Sequence, residues 1–111
     1  MEKFVKGDVV VVPFPFSNLT QAKRRPALII ADVEGDDYIL CQITSKQVKD
    51  SYSVSIEDAD FEEGSLKQSS NVRPNRIFTA DENIILYRIG HLKQNATGKI
   101  IRAIIDILKK C

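Results

Sequence analysis

The chain of 111 residues has one histidine, two cysteines, no apolar run long enough to cross a bilayer and almost no net charge. Each scarcity removes a class of function. His91 has no Cys or carboxylate near it at metal-ligand spacing, so no metal site is expected. Cys41 sits in an apolar run and Cys111 is the last residue, one buried thiol and one tail thiol rather than a disulfide framework, which fits a reducing, cytoplasmic setting. No segment approaches the ~18 uninterrupted apolar residues of a spanning helix, and the charged start from Met1 to Asp8 lacks a secretory pattern. A soluble protein with no membrane partner is expected. With a formal net charge of +1, global charge names no partner, and any nucleic-acid binding must come from local clustering.

Such a cluster is present. Lys23-Arg24-Arg25 runs into Pro26 and then the β-branched, apolar Ala27-Leu28-Ile29-Ile30. Proline has no N–H and disfavours helix for the residue before it, so the cations are expected at the end of a loop, with a strand over residues 26–31 beginning beside them. A guanidinium held on a rigid edge presents a fixed fork of donors that matches phosphate geometry. A solvated loop before a core strand is the alternative reading.

The rest of the chain reads as one domain over 1–111, its 43% hydrophobic residues sufficing for a core without metal or disulfide staples. After a turn at Gly7-Asp8, Val9–Val12 is expected as a strand buried on both faces, ended by Pro13-Phe14-Pro15-Phe16. Phe14 and Phe16 should share one side and could stack unpaired bases or pack on the core, and residues 17–21 should form a polar loop. The turn-rich 32–37 leads into a third strand, Tyr38–Thr44, with Ile39, Cys41 and Ile43 on one face and Leu40, Gln42 and Thr44 on the other. An antiparallel hairpin of these strands brings Arg25 beside Thr44.

Residues 46–50 form a polar connection, residues 52–56 an alternating strand, and the acidic 57–63 a solvated loop. Pro74 in the extended 71–79 argues for an edge or a bulge, from which Arg73 and Arg76 can both project. Residues 84–90 read as a short helix or turn leading into a strand that Gly90 ends. From Thr97 the period changes, and Ile100, Ile101, Ile104, Ile105 and Leu108 form the stripe of a terminal helix, capped by Thr97 or Asn95 and closed by Lys109 and Lys110. His91, just before it, reads as a structural or surface histidine rather than a general base. Five or six short strands and one final helix suggest a strongly bent sheet or partly open barrel.

Taken in order, Gly7-Asp8-Val9-Val10, Pro13-Phe14-Pro15-Phe16, Arg24-Arg25-Pro26-Ala27, Gln42-Ile43-Thr44-Ser45, Ser70-Asn71-Val72-Arg73-Pro74-Asn75-Arg76-Ile77 and Ile89-Gly90-His91-Leu92 resemble the successive blocks of the MazF/PemK-like toxins. The resemblance implies a mainly β fold, an SH3-like small barrel of five to seven short strands with a C-terminal helix. It also implies a homodimer, and the toxin half of a toxin–antitoxin pair that cuts single-stranded RNA at short preferred sequences without a metal or other cofactor. The family's catalytic arginine falls on Arg25 and its hydroxyl partner on Thr44. Candidate RNA contacts are Phe16, Asn18, Arg24, Ser45, Lys46, Arg73 and Arg76, although each of these charges could equally be solvated surface. The first loop lacks the histidine that some relatives use, so the general base is unassigned. Two rivals share the fold: a CcdB-like toxin that traps gyrase, against which the Arg25-Pro26 block speaks, and an inactive SH3-like interaction module.

Overall fold

A computed structural model describes residues 3–14, except the Phe14 side chain, and residues 23–110. The expectations for Phe14 and Phe16 as a pair, for Asn18 and the 17–21 loop, and for the Cys111 tail thiol lie outside the described residues. Seven strands, β1 Asp8–Phe14, β2 Lys23–Asp32, β3 Asp37–Thr44, β4 Val54–Ile56, β5 Phe61–Gly64, β6 Ser70–Asp81 and β7 Tyr87–Leu92, precede one helix, α1 Gln94–Lys109. They form one curled antiparallel half-barrel sheet in the order β4-β6-β3-β2-β1-β7-β5, the mainly β fold expected.

Alternation along the strands divides the apolar residues between the two faces of the sheet. Val9, Leu28, Cys41, Ile43 and Val72 point to α1 and pack with Ala96, Ile100 and Ile104. Val10, Val12, Ala27, Ile29, Tyr38 and Leu40 form a second cluster with Phe4, whose ring meets Tyr38 edge-on at 5.7 Å. The opposition of Cys41 and Ile43 to Leu40 is thus as expected. α1 covers one face, which leaves the polar ends of β2 and β3 on the other face open to build a site.

Several boundaries differ from expectation, each for a physical reason. Lys23, Arg24 and Arg25 lie in β2 rather than at the end of a loop, because β1 runs on through Pro13 and pairs Val12 with Arg25, Pro13 with Arg24 and Phe14 with Lys23. The ladder from β2 to β3 begins only at Ala27, so Pro26 stands where β2 still pairs on one side. Of the acidic 57–63, expected as a loop, residues 58–60 form a 3₁₀ turn and Phe61 opens edge strand β5, drawn in by the burial of its ring. The strand expected over 52–56 is shorter, Val54–Ile56.

Gly90, expected to end a strand, lies within β7. It faces Gly64 of β5, and a Cβ at Gly90 would collide with the Glu63 carbonyl oxygen. Two glycines let these backbones approach. The helix starts three residues before Thr97, at Gln94, with Lys93 as N-cap and no side-chain cap. Its entry is set from outside, by the Lys93 N–H donating to the Asp60 carbonyl at 2.8 Å, so neither Thr97, buried in the first turn, nor Asn95 caps it. Only part of the expected stripe is buried, since Ile105 and Leu108 are 42% and 73% exposed. Among the described residues no helix is long and apolar enough to cross a membrane.

Gly64 and Gly35 both hold positive φ, +71° and +79°, but only Gly64 has backbone against the position a Cβ would take, that of Ile89 and Gly90. Gly35→Ala should cost about 1–2 kcal/mol, the left-handed conformation alone. Gly64→Ala should cost about 1–3 kcal/mol more, from the collision. Urea unfolding of the two variants beside the wild type measures the difference, and equal losses would show that β5 and β7 can part freely.

Candidate active site

The site is built where the ladder between β3 and β6 breaks. Cys41 pairs with Ile77, but the next pair is Ile43 with Val72, so Gln42 alone stands opposite the four residues Arg73–Arg76. Pro74 causes this: it cannot donate to a ladder, and it turns inward to become fully buried. The bulge expected from Pro74 is therefore present, with Arg73 and Arg76 projecting from it. Its freed carbonyl at Arg73 accepts a hydrogen bond from Cys41 Sγ at 2.8 Å. Burial pushes the Cys41 thiol up to about 12, so this donor keeps its proton at neutral pH.

Under the bulge lies a cavity of about 480 Å³, lined by Arg25, Gln42, Thr44, Lys46, Gln47, Val48, Lys49, Arg73 and Arg76. The last pair of the hairpin ladder is Ala27 with Gln42, and the same register carried two residues further sets Arg25 across from Thr44. Both line the cavity, so the pair expected from strand geometry is brought together, on the sheet face opposite α1. Lys46, Arg73 and Arg76 join them there. Arg24 and Ser45 do not: both are exposed, Arg24 lies next to Arg25 on β2 and so points by alternation to the other side of that strand, and Ser45 lies just beyond the end of β3. His91 is also elsewhere, with Nδ1 2.8 Å from Asp8 Oδ1.

Hydrogen bonds fix the polar wall. Thr44 Oγ1 accepts from the Lys46 N–H at 3.1 Å, and Asn71 Nδ2, across the ladder from Thr44, donates to the Lys46 carbonyl at 3.2 Å. With its oxygen engaged as acceptor, the Thr44 hydroxyl has its proton to give. Asp50, which sequence reasoning passed over, ties the 46–50 loop to the bulge. Its Oδ2 lies 3.1 Å from Arg73 Nη2 and accepts from Asn75 Nδ2 at 3.3 Å, while its Oδ1 accepts from the Tyr52 N–H at 3.0 Å. The Tyr52 N–H first, and then the Arg73 guanidinium, hold its carboxyl below the usual range. A short polar loop followed by Tyr52 was the only signal, and it does not separate Asp50 from a solvated acid.

Five of the lining residues, Arg25, Lys46, Lys49, Arg73 and Arg76, are cations and none is an acid, in a chain whose formal net charge is only +1. Such a cavity selects polyanions and, with forked guanidinium donors beside a hydroxyl, phosphate groups.

Comparison with known proteins places the chain in a family and gives its fold. The sequence profile of the PemK-like, MazF-like toxin of type II toxin–antitoxin systems matches residues 5–108, so the chain belongs to that family. No curated protein sequence matches it. Among solved structures, a mycobacterial endoribonuclease in complex with its cognate antitoxin is similar at 16% identity and TM-score 0.75, over 95% of this chain and 94% of that one. MazF from Deinococcus radiodurans aligns at 17% identity and TM-score 0.75, over 96% and 97% of the two chains. The Mycobacterium tuberculosis toxin MazF-mt6 aligns at 19% identity and TM-score 0.71, over 94% and 98%. At these identities the likeness is one of fold.

The Asp50 tie has a pH signature. Because the folded-state carboxyl is held below its ordinary value of 3.8, its contribution is fully present above that value and is lost as pH falls through the lower, folded-state one. Asp50→Ala should therefore melt below the wild type at pH 7 and converge with it as pH falls below 3.8. A difference in melting temperature that persists unchanged into strong acid would show that the Asp50 charge contributes nothing.

Proposed function

We propose that this chain is a metal-independent, sequence-selective endoribonuclease toxin that cleaves single-stranded RNA, mRNA in the cell, by attack of a 2′-hydroxyl on the adjacent phosphate. The observation that carries this reading is that Arg25 and Thr44 line one cation-rich cavity, with the Thr44 oxygen accepting from the Lys46 N–H, which leaves its own O–H available as a donor. RNA brings its own nucleophile, so the protein has only to orient the 2′-oxygen and stabilise the charge that builds on phosphorus. The 2′-oxygen gives its proton to water and forms a bond to phosphorus as the bond to the 5′-oxygen breaks, and the 5′-oxygen takes up a proton, leaving a 2′,3′-cyclic phosphate and a 5′-hydroxyl. Arg25 holds the non-bridging oxygens and assists the leaving oxygen, and the Thr44 hydroxyl donates to a non-bridging oxygen. Lys46, Arg73 and Arg76 hold neighbouring phosphates. DNA, lacking the 2′-hydroxyl, is spared.

A cognate antitoxin is the natural partner. An acidic, partly disordered segment that covers the cationic cavity and orders on binding would fit it, and the family and the mycobacterial complex support such a partner. The reading also places the protein in the cytoplasm, where mRNA is, and as a homodimer. Ile84, Leu86 and Tyr87, each 44–50% exposed, offer apolar surface that a second copy can cover.

Two measurements test this. A long, weakly structured RNA incubated with the protein in EDTA should yield discrete fragments, and Arg25→Ala should reduce their rate by ~10²-fold or more while leaving the fold intact. Equal cutting by both proteins would remove Arg25 from the chemistry, and no cutting by either would favour a gyrase-trapping toxin or an inactive module. Light scattering should give twice the 12.5 kDa chain mass, and a single-chain mass across working concentrations would count against the homodimer.

A further inference from the structure

Gln42 is the one neutral amide at the floor of the cavity that also belongs to the sheet. It lies on β3 between Leu40, which is core, and Thr44, which is site, and it is the single residue opposite the Arg73–Arg76 bulge. Although only 9% exposed, it lines the cavity. The structure records no hydrogen bond from its side chain to the described residues. Most of the residue is covered, but the amide atoms open into the cavity, and the cavity is where a partner for their donor and acceptor can arrive. Phosphate is the wrong partner, because the cations already present donors to it and the amide oxygen would be left facing another acceptor.

We infer that Gln42 reads the base of a nucleotide flanking the scissile phosphate, an inference that rests on the ribonuclease reading above. The amide offers an acceptor and a donor in one plane, which fits adenine, whose N6 donates beside the N7 acceptor. Guanine presents two acceptors on that edge, for which a guanidinium is the better partner. The backbone of Gln42 is locked in the ladder with Ala27, so the amide is held at a set depth beside Arg25 and Thr44. It is a specificity-determining residue and touches no reacting atom.

The test is to digest a randomised RNA library with the wild type, Gln42→Ala, Gln42→Glu and Arg25→Ala, to sequence the fragment ends, and to check each fold by thermal melting. Gln42→Glu keeps the shape of the side chain should Gln42→Ala prove unstable, and because its charge beside Arg25 slows cutting at every site, discrimination is read as the ratio of cuts within each variant. The wild type should favour adenine at one position beside the cut. Both Gln42 variants should lose roughly 5- to 100-fold of discrimination at that position alone, with Gln42→Glu turning toward cytosine, whose N4 donates to a carboxylate. A wild type that cuts without favouring adenine at any flanking position, or variants whose profiles match it, overturns the inference and leaves the ribonuclease reading standing. A wild type that cuts no better than Arg25→Ala overturns both.

Discussion

The site depends on one break in a ladder. Pro74 has no N–H to give to β3, and its burial lets β6 carry four residues past a single one. Had β6 continued in register, Arg73 and Arg76 would have fallen on opposite faces of a flat strand, since an odd separation reverses the side-chain direction. The bulge releases them from that rule and brings both to the wall above Gln42. It also leaves backbone groups to be satisfied, and the Cys41 thiol takes the Arg73 carbonyl from the side of the helix-facing core. One proline thereby couples the packing of one face of the sheet to the charge on the other.

Gathering five cations around one cavity is unfavourable in the absence of an anion, because like charges within a Debye length of ~10 Å repel. Asp50 offsets part of this at the rim, holding Arg73 and, through the Tyr52 N–H, anchoring its own loop. It sits beside the cluster rather than among the lining residues, so the cavity itself stays cationic. A near-neutral chain can present such a field because most of its acids lie elsewhere, in the 32–37 turn, in the 57–63 segment and at Asp81 and Glu82.

How much of this was legible in the sequence depends on how far apart the causes lie. The pairing of Arg25 with Thr44 follows from one hairpin and simple alternation, and Pro74 announces its bulge by chemistry alone. β5 could not be read, because its acids look solvated and only Phe61 reports that the edge is occupied. The start of α1 was missed because its entry is fixed by the Asp60 carbonyl, far back along the chain from Lys93, and not by a capping side chain. Arg24 is a different case. Period-two alternation along β2 separates its side chain from that of Arg25, which a strand expected to begin only at Pro26 does not reveal.

That early start of β2 also bears on the chemistry. An arginine on a loop loses considerable side-chain and backbone entropy when it closes on a phosphate. Arg25 is held by pairing with Val12, a residue that packs in the core, so the backbone part of that cost is met during folding. Thr44 is fixed in the same way at the last residue of β3, with the turn beyond it pinned by Asn71. The two groups proposed to act on the phosphate thus stand on strands while the lysines around them stand on a loop. A division of this kind suits a reaction in which the nucleophile comes with the substrate, since the protein then contributes chiefly through donors that need not reorganise as the charge on phosphorus grows.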